Sequence, residues 1–390
     1  MEIYSGRNQS YARKVNNKLV ISKLRNGDCS ATILVNELNL SNSAMSSILK
    51  ELETQGVIIP SFSASNLGKG RKQIYYTLNK NYGVFAIVCL SNNRCKIILS
   101  NLKEEILLME EKEIDKYDVT VIYEIILAIK NILAKEEYRD LPLRNIYIAV
   151  PGKVNSVTGE LQLSKQFDSN LFEENNKIVH LFQTHFDAPI IMQNDTNLAI
   201  IGEKRNGELT SNDALLAYID NGIGAAMILN GEFYGGDSGY AGELGLMTTS
   251  FKGKENFLDE FVSLRSIKNY VKSLLNKNVK TNDVVELFKT NQEIKNYILE
   301  TAHCLGRKLK DVIELLNISN IIIQGRVHLF GDEYLKCIQE EIAKSQNQCE
   351  VRFSNLNGDS IFIGAMSEAV DHLIDVITLK SIDQGRIGIW

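Results

Sequence analysis

Proline is scarce, at four residues in 390, and no glycine or proline repeat runs through the chain. That excludes collagen-like repeats and low-complexity scaffolds. No apolar run approaches the ~18–20 residues that a membrane-spanning helix needs. The opening residues Met1-Glu2-Ile3-Tyr4-Ser5 lack the basic-then-apolar pattern of an export signal. Cys29, Cys89, Cys95, Cys304, Cys337 and Cys349 are scattered, with no C-x-x-C pair and no disulfide cadence. Together these absences lead us to expect a cytoplasmic protein with no membrane partner. What is present is ordinary globular usage, 44% hydrophobic and 23% charged. Such usage rules out wholesale disorder, and the length calls for two or three domains with real cores.

The overall charge of −5 is unevenly spread. Residues 1–80 carry 11 Lys and Arg against 5 Asp and Glu, whereas the remaining 310 carry 32 against 43. A basic head on an acidic body suggests a head that meets a polyanion and a body that avoids one.

Periodicity within the head is legible. Val15, Leu19, Ile21 and Leu24 fall near helical spacing over about residues 12–25, and Asn26-Gly27 stops that helix. Ser30 is placed to cap a second helix over Ala31–Leu38, and Ser41 a third after the tight Asn39-Leu40 turn. The third helix has an apolar stripe of Ala44, Ile48, Leu49 and Leu52. Its other face reads Asn42, Ser43, Ser46, Ser47 and Lys50. Two short helices across a tight turn, the second presenting small hydrogen-bonding groups, form a helix-turn-helix that can read base edges and phosphates. An ordinary three-helix cluster with a polar outer face would show the same pattern. The next segment favours the first reading. Val57-Ile58-Ile59 and Ile74–Leu78 predict two strands around a loop ending Gly68-Lys69-Gly70-Arg71-Lys72. Such a wing places Lys69, Arg71 and Lys72 to enter a minor groove or clamp phosphates. Residues 1–80 are therefore expected to be a winged helix-turn-helix domain that binds a double-stranded DNA operator.

From about Gly83 strands alternate with helices, the pattern of an α/β body over 81–390. The expected strands include Val84–Leu90, Lys96–Leu99, Ile146–Val150, Ile190–Met192, Ala214–Ile219, Ala225–Leu229 and Ile321–Ile323. The expected helices include Val119–Lys135, Asn197–Glu203, Leu258–Leu275 and Ile294–Leu316. One internal break near Asp195–Asn206 would divide the body into two lobes with a cleft. Glycines gather at Gly222-Ile223-Gly224, Gly231, Gly235-Gly236 and Gly239-Tyr240-Ala241-Gly242-Glu243-Leu244-Gly245. A G-x-G turn can aim backbone N–H groups at phosphate, although alone it also suits a plain hairpin. The histidines, His180, His185, His303, His328 and His372, do not pair at ligand spacing and read as surface or structural residues.

Residues 218–245 resemble the signature of the ROK family, which groups sugar kinases with sugar-responsive repressors. Pro151-Gly152-Lys153-Val154-Asn155 and Asn194-Asp195-Thr196-Asn197 resemble its other landmarks, and the winged head with Gly70-Arg71-Lys72 resembles the xylose- or N-acetylglucosamine-repressor branch. The resemblance implies a two-lobed, actin-like sugar-kinase body behind the DNA-binding head, in a homodimer or homotetramer.

It also shows what is missing. The family's kinases carry D-x-G-x-T on the first strand of the body, and the matching residues here are Cys89-Leu90-Ser91-Asn92-Asn93. Without that carboxylate and glycine, phosphoryl transfer loses its positioning and charge neutralisation. The paired glycine expected near the C-terminus reads Gln324-Gly325-Arg326. The family's zinc histidine is replaced by Leu246, and residues 251–259 contain neither Cys nor His. No tetrahedral N/S zinc site can form in that segment. We therefore expect no ATP, no zinc and no enzymatic activity.

The sugar pocket is partly kept. By resemblance Asp195 stands at the kinase general base, Asn194 and Glu243 at hydroxyl-binding positions, and Asp259 where a Glu is usual. The run Asn194-Asp195-Thr196 also reads simply as the cap of the helix that follows. The expectation is a transcriptional repressor of carbohydrate genes that binds a sugar or sugar phosphate without phosphorylating it. An active sugar kinase with a vestigial head, and a regulator whose body reads a protein partner, are the alternatives.

Overall fold

The computed structural model of the chain describes residues 9–61, 74–91, 94–155, 158–164, 166–207, 209–237 and 239–379. It divides into two compact units, Met1–Ile148 with Gln166–Met192 and Met366–Trp390, and Ala149–Lys165 with Gln193–Ala365. The chain thus passes between units four times, one of them close to the single break expected near Asp195.

The first unit opens with α1 (Gln9–Leu24), β1 (Cys29–Ser30), α2 (Ala31–Leu38), α3 (Asn42–Thr54), β2 (Ile58–Ser61) and β3 (Tyr75–Leu78). Both serine caps form. Ser30 Oγ accepts from Ile33 N at 3.3 Å, and Ser41 Oγ accepts from Ala44 N at 3.2 Å. Between them Asn39 takes the left-handed conformation (φ 51°) and its N–H closes α2 on the Val35 carbonyl. Asn tolerates that region better than any other residue bar glycine, so the turn is tight without strain. α3 buries Met45, Ile48, Leu49 and Leu52. In α1 the buried face is Val20, Ile21 and Leu24, and Leu19, expected inside, is 44% exposed. The short β1 pairs with β3, giving a three-stranded sheet of order β1-β3-β2.

The rest of this unit is built on β4 (Val84–Ser91), β5 (Arg94–Asn101), β6 (Ile106–Glu113), α4 (Val119–Leu133) and β7 (Leu143–Val150). After the small β8 (Lys153–Val154) and β9 (Leu161–Leu163) hairpin, which belongs to the second unit, come α5 (Ile178–Gln183) and β10 (Ile190–Asn194). The sheet order is β10-β7-β4-β5-β6. Its β6 edge is mostly exposed and ends Glu-Glu-Lys-Glu, charges that discourage edge-to-edge pairing.

Beyond that hairpin the second unit holds α6 (Asp195–Asn206), β11 (Ala214–Ile219), β12 (Ile223–Leu229) and β13 (Glu232–Tyr234). Next are β14 (Thr248–Phe251), β15 (Lys254–Phe257), α7 (Asp259–Val262), α8 (Leu264–Leu275), α9 (Thr281–Thr290) and α10 (Gln292–Leu316). β16 (Asn320–Gln324), α11 (Gly331–Ile342), β17 (Glu350–Phe353) and α12 (Asp359–Leu379) complete the chain. Its sheet runs β13-β12-β11-β16-β17. The single helix expected over 258–275 is broken at Ser263, which is extended (φ −62°, ψ 151°) and caps α8. Helix α12 contributes its first turns to the second unit and the remainder to the first. Among the described residues no helix is long and apolar enough to cross a membrane.

Within the first unit the head is tied to the body by α1. Arg25, with its side chain only 8% exposed, donates to Glu104 Oε1 at 2.8 Å, to Asp371 Oδ1 at 2.6 Å and to Ser367 Oγ at 2.9 Å. Lys18 bonds Asp375 at 2.6 Å. Three residues of α12, Ser367, Asp371 and Asp375, therefore hold the first helix of the head.

Candidate functional site

In the head, the packing of Met45, Ile48, Leu49 and Leu52 turns the opposite face of α3 outward. Asn42, Ser43, Ser46, Ser47 and Lys50 are all exposed on it. Arg13 of α1 flanks this face, donating to Ser47 Oγ at 3.2 Å while paired with Glu51. Lys69, Arg71 and Lys72 lie outside the described residues.

In the second unit the candidate effector site starts where β10 runs into α6. Asn194 is the helix cap. Its Oδ1 accepts from Thr196 N at 2.9 Å and Asn197 N at 3.1 Å, and its Nδ2 donates to the Gly152 carbonyl at 2.8 Å. The capping reading of this run thus falls on Asn194, which also pins the Pro151–Asn155 turn. Asp195 is a different case. It is 8% exposed, and its nearest donors are Thr196 N at 2.7 Å and Thr196 Oγ1 at 3.3 Å. Burial pushes its carboxyl up to about 7; the Thr196 hydrogen bonds oppose the rise and the Asp220 charge adds to it. A carboxyl poised there can hold or release a proton near neutral pH.

The glycine-rich signature packs its backbone closely beside Thr196, the residue that follows Asp195, and against β12. A Cβ at Gly224 would sit 3.0 Å from Thr196 Oγ1, and one at Gly242 (φ +91°) 1.9 Å from the Ala225 carbonyl. Glu243 is exposed and pairs with Lys153 at 3.3 Å, whose ammonium lies 5.4 Å from the Tyr240 ring centroid. Asp259 supports the G-x-G turn: Oδ1 accepts from Ile223 N at 3.0 Å and Oδ2 from Arg265 at 2.5 Å. Of the four residues singled out, Asp195 alone combines burial with a proton-accepting carboxyl that no cation pairs at short range. Asn194 caps the helix that Asp195 begins, and Asp259 holds the G-x-G turn.

Sequence reasoning missed Asp220, Arg326 and Lys268. Asp220 is buried before the G-x-G turn and receives Arg326 through two guanidinium nitrogens, Nε at 2.8 Å from Oδ2 and a second, shorter contact to Oδ1. Arg326 also reaches Thr281 Oγ1 at 3.2 Å, and Lys268 donates to Asn221 Oδ1 at 2.9 Å. Burial, then the charge of Arg326, lowers the Lys268 ammonium below its usual range. The signal was the sequence Gln324-Gly325-Arg326. A Cβ at Gly325 (φ +95°) would lie 2.1 Å from the Ile219 carbonyl, so this turn presses on the end of β11 and delivers Arg326 to Asp220. Of the five residues that the resemblance aligns with the kinase phosphate loop, Cys89, Leu90 and Ser91 are strand residues paired with Lys96, Cys95 and Arg94, and Asn92 and Asn93 lie outside the described residues.

This chain matches the ROK family over residues 90–369 and belongs to it. A xylose repressor of Caldicellulosiruptor bescii is 22% identical over 396 residues, covering 94% of this chain and 98% of that protein. Among solved structures, a ROK family transcriptional regulator, a homologue of the E. coli MLC protein, superimposes with a TM-score of 0.78 at 18% identity, over 94% of this chain and 98% of that one. The ROK hexokinase of Thermus thermophilus gives 0.62 at 17% identity over 75% of this chain and 99% of its own. The fold over 94% of the chain is therefore that of this solved ROK family regulator, and the hexokinase shares it over three quarters of the chain.

Proposed function

We propose that this chain is a sequence-specific DNA-binding regulator, a repressor of carbohydrate genes. It would bind a sugar or sugar phosphate beside Asp195 and catalyse no phosphoryl transfer. The observation that carries the reading is the head. Two serine-capped helices meet across a left-handed Asn39 turn and present Asn42, Ser43, Ser46, Ser47 and Lys50 on one exposed face. That face suits a major groove, the short side chains reading base edges and Lys50 a phosphate. The likeness to proteins named xylose repressor runs through this head, whereas the likeness to a ROK hexokinase leaves about a quarter of the chain uncovered. Cys89-Leu90-Ser91 supplies no carboxylate to place a magnesium ion, which supports binding without turnover. Operator half-sites call for an even number of subunits, a homodimer or homotetramer, working in the cytoplasm.

A sugar hydroxyl that donates to Asp195 would bind its ionised form, and the neighbouring backbone, held by Asn194 and Asp259, would frame the ring. For the sugar to release DNA it must prefer the non-binding state, with a coupling of ~1–3 kcal/mol. Fluorescence anisotropy of the chain on its own upstream DNA, with and without a panel of sugars and sugar phosphates, tests this. Specific binding reversed by one ligand supports the repressor and identifies its effector. Specific binding that no sugar alters moves the effector from the pocket to a protein partner. Turnover of ATP with any sugar of the panel, abolished by Asp195→Asn, would overturn the non-enzymatic reading in favour of a kinase.

A further inference from the structure

Helices α10 and α11 approach closely in the second unit. A Cβ at Gly306 of α10 would lie 2.8 Å from Glu341 Cβ and 2.9 Å from the Ile338 carbonyl, so the two helices meet there almost backbone to backbone. One turn earlier on α10 stands His303, and facing it on α11 are Cys337 and Glu340, three residues apart and so on one side of their helix. One ligand atom from each of the three lies within 4.8 Å of the others. His303 and Cys337 are partly buried and Glu340 is exposed, which leaves a path from solvent.

The orientation of the imidazole is the second observation. His303 Nδ1 is 2.9 Å from Glu341 Oε1, and Glu341 is itself held by Lys344 at 2.6 Å. With its Nδ1–H donated to that carboxylate, the ring keeps a lone pair on Nε2, which is the nitrogen turned toward Glu340, 3.9 Å from Oε2. A histidine held by a carboxylate on one nitrogen, with the other turned toward a second carboxylate in a cluster that also holds a thiol, is the supporting arrangement that metal-binding histidines use.

We propose that His303 Nε2, Cys337 Sγ and a Glu340 carboxylate oxygen bind a divalent transition-metal ion of the zinc class. The N, S and O set favours zinc or cobalt over magnesium or calcium, which take oxygen ligands. Binding displaces the Cys337 thiol proton to solvent. Thiolate and carboxylate then balance the two charges of the ion, and water completes a tetrahedron. The ion clips α10 to α11. These elements are distinct from residues 246–259, where the family resemblance would have put zinc. Spacing along the chain hid the site, because His303 and Cys337 are brought together only by the helix packing.

The full chain, stripped of metal with a chelator, is titrated with Co²⁺ and followed by absorption. The expected result is one cobalt per chain with a thiolate-to-cobalt charge-transfer band and tetrahedral visible bands. Cys337→Ser removes the charge-transfer band. Glu341→Gln keeps it but weakens affinity by about 10- to 100-fold, the cost of losing such a supporting partner. Cys349→Ser, at the other partly buried thiol, leaves the titration unchanged. No band, or a band that survives Cys337→Ser, overturns the proposal. Should Cys337→Ser fail to fold, alkylation of the unaltered chain decides: Zn²⁺ is expected to protect Cys337 and not Cys349, and equal protection or none refutes the site.

Discussion

Asp195→Asn separates the electrostatics of the candidate effector site from its shape. The ordinary carboxyl value is 3.8, and burial moves Asp195 to about 7. The folded chain therefore holds this proton over a pH range in which the unfolded chain has released it. That preference is fully present below pH 4 and is lost as pH rises through 7. At about 1.4 kcal/mol per decade, the ionised carboxylate costs the fold up to about 4 kcal/mol at pH 8. Asparagine keeps an oxygen for the Thr196 N–H and removes the titration. Urea unfolding followed by circular dichroism from pH 4 to 8.5 should show the two proteins diverging through this window, with the variant the more stable at pH 8. A difference that is flat with pH would refute the burial argument. Effector binding carries the complementary sign. A sugar hydroxyl donating to the carboxylate needs it ionised, so binding should tighten from pH 6 to pH 8 and release a proton below 7. The variant should lose both the affinity and the pH dependence. Isothermal titration in two buffers of different ionisation heat reads that proton directly.

Three further changes test other parts of the molecule. Arg25→Met strands Glu104, whose side chain is 10% exposed, without its cation; we expect a loss of about 3–5 kcal/mol in chemical denaturation, partly recovered by adding Glu104→Gln. Lys50→Ala, and equally Arg71→Ala on the sequence-predicted wing, should weaken operator binding and lower the slope of log affinity against log salt by about one each, with thermal stability unchanged for Lys50→Ala. Gly364→Ala puts a methyl 1.9 Å from the Leu198 carbonyl, so the α6–α12 crossing must open at a cost of about 1–3 kcal/mol. Its operator affinity should then respond less to effector, and an unaltered response in anisotropy titrations would disprove a role for that crossing.

The parts of the fold that local chemistry specifies were legible in the sequence. Ser30 and Ser41 mark α2 and the start of α3 because a cap is a local hydrogen bond. The polar face of α3 follows from 3.6-residue periodicity alone. Errors came where tertiary packing decides. Leu19 and Val20 are adjacent and both apolar, and only the packing of α1 chooses Val20 for the core. β1 has two residues, too few for any alternation, and β6 is a charged edge strand whose pairing with β5 is what defines it. Ser263 is unremarkable in a helical run until its hydroxyl is seen capping α8. Within the candidate site, Asp195 was found through a family landmark. Its neighbour Asp220 is engaged by an arginine 106 residues away, which no spacing rule reaches.

Helix α12 is the element that the two units share, its first turns in the second and its later turns in the first. Its start is keyed into the second unit. A Cβ at Gly364 would lie 1.9 Å from the Leu198 carbonyl and one at Gly202 2.0 Å from that of Ser360, while Gln324 at the end of β16 bonds Ser360 Oγ at 2.8 Å. With no side chain at the crossing, α6 and α12 pack backbone against backbone there. The later turns belong to the first unit. Ala369 takes a hydrogen bond from Asn145 of β7 at 2.8 Å, and Ser367, Asp371 and Asp375 grip Lys18 of α1 and Arg25 just beyond its end. α1 in turn reaches the reading face through Arg13, bonded to Ser47 and Glu51 of α3. Every link is a discrete contact that can be removed singly. The Gly364 and Arg25 variants remove two of them, one near the start of α12 and one at its middle turns, and anisotropy on operator DNA with and without effector reads what each contributes.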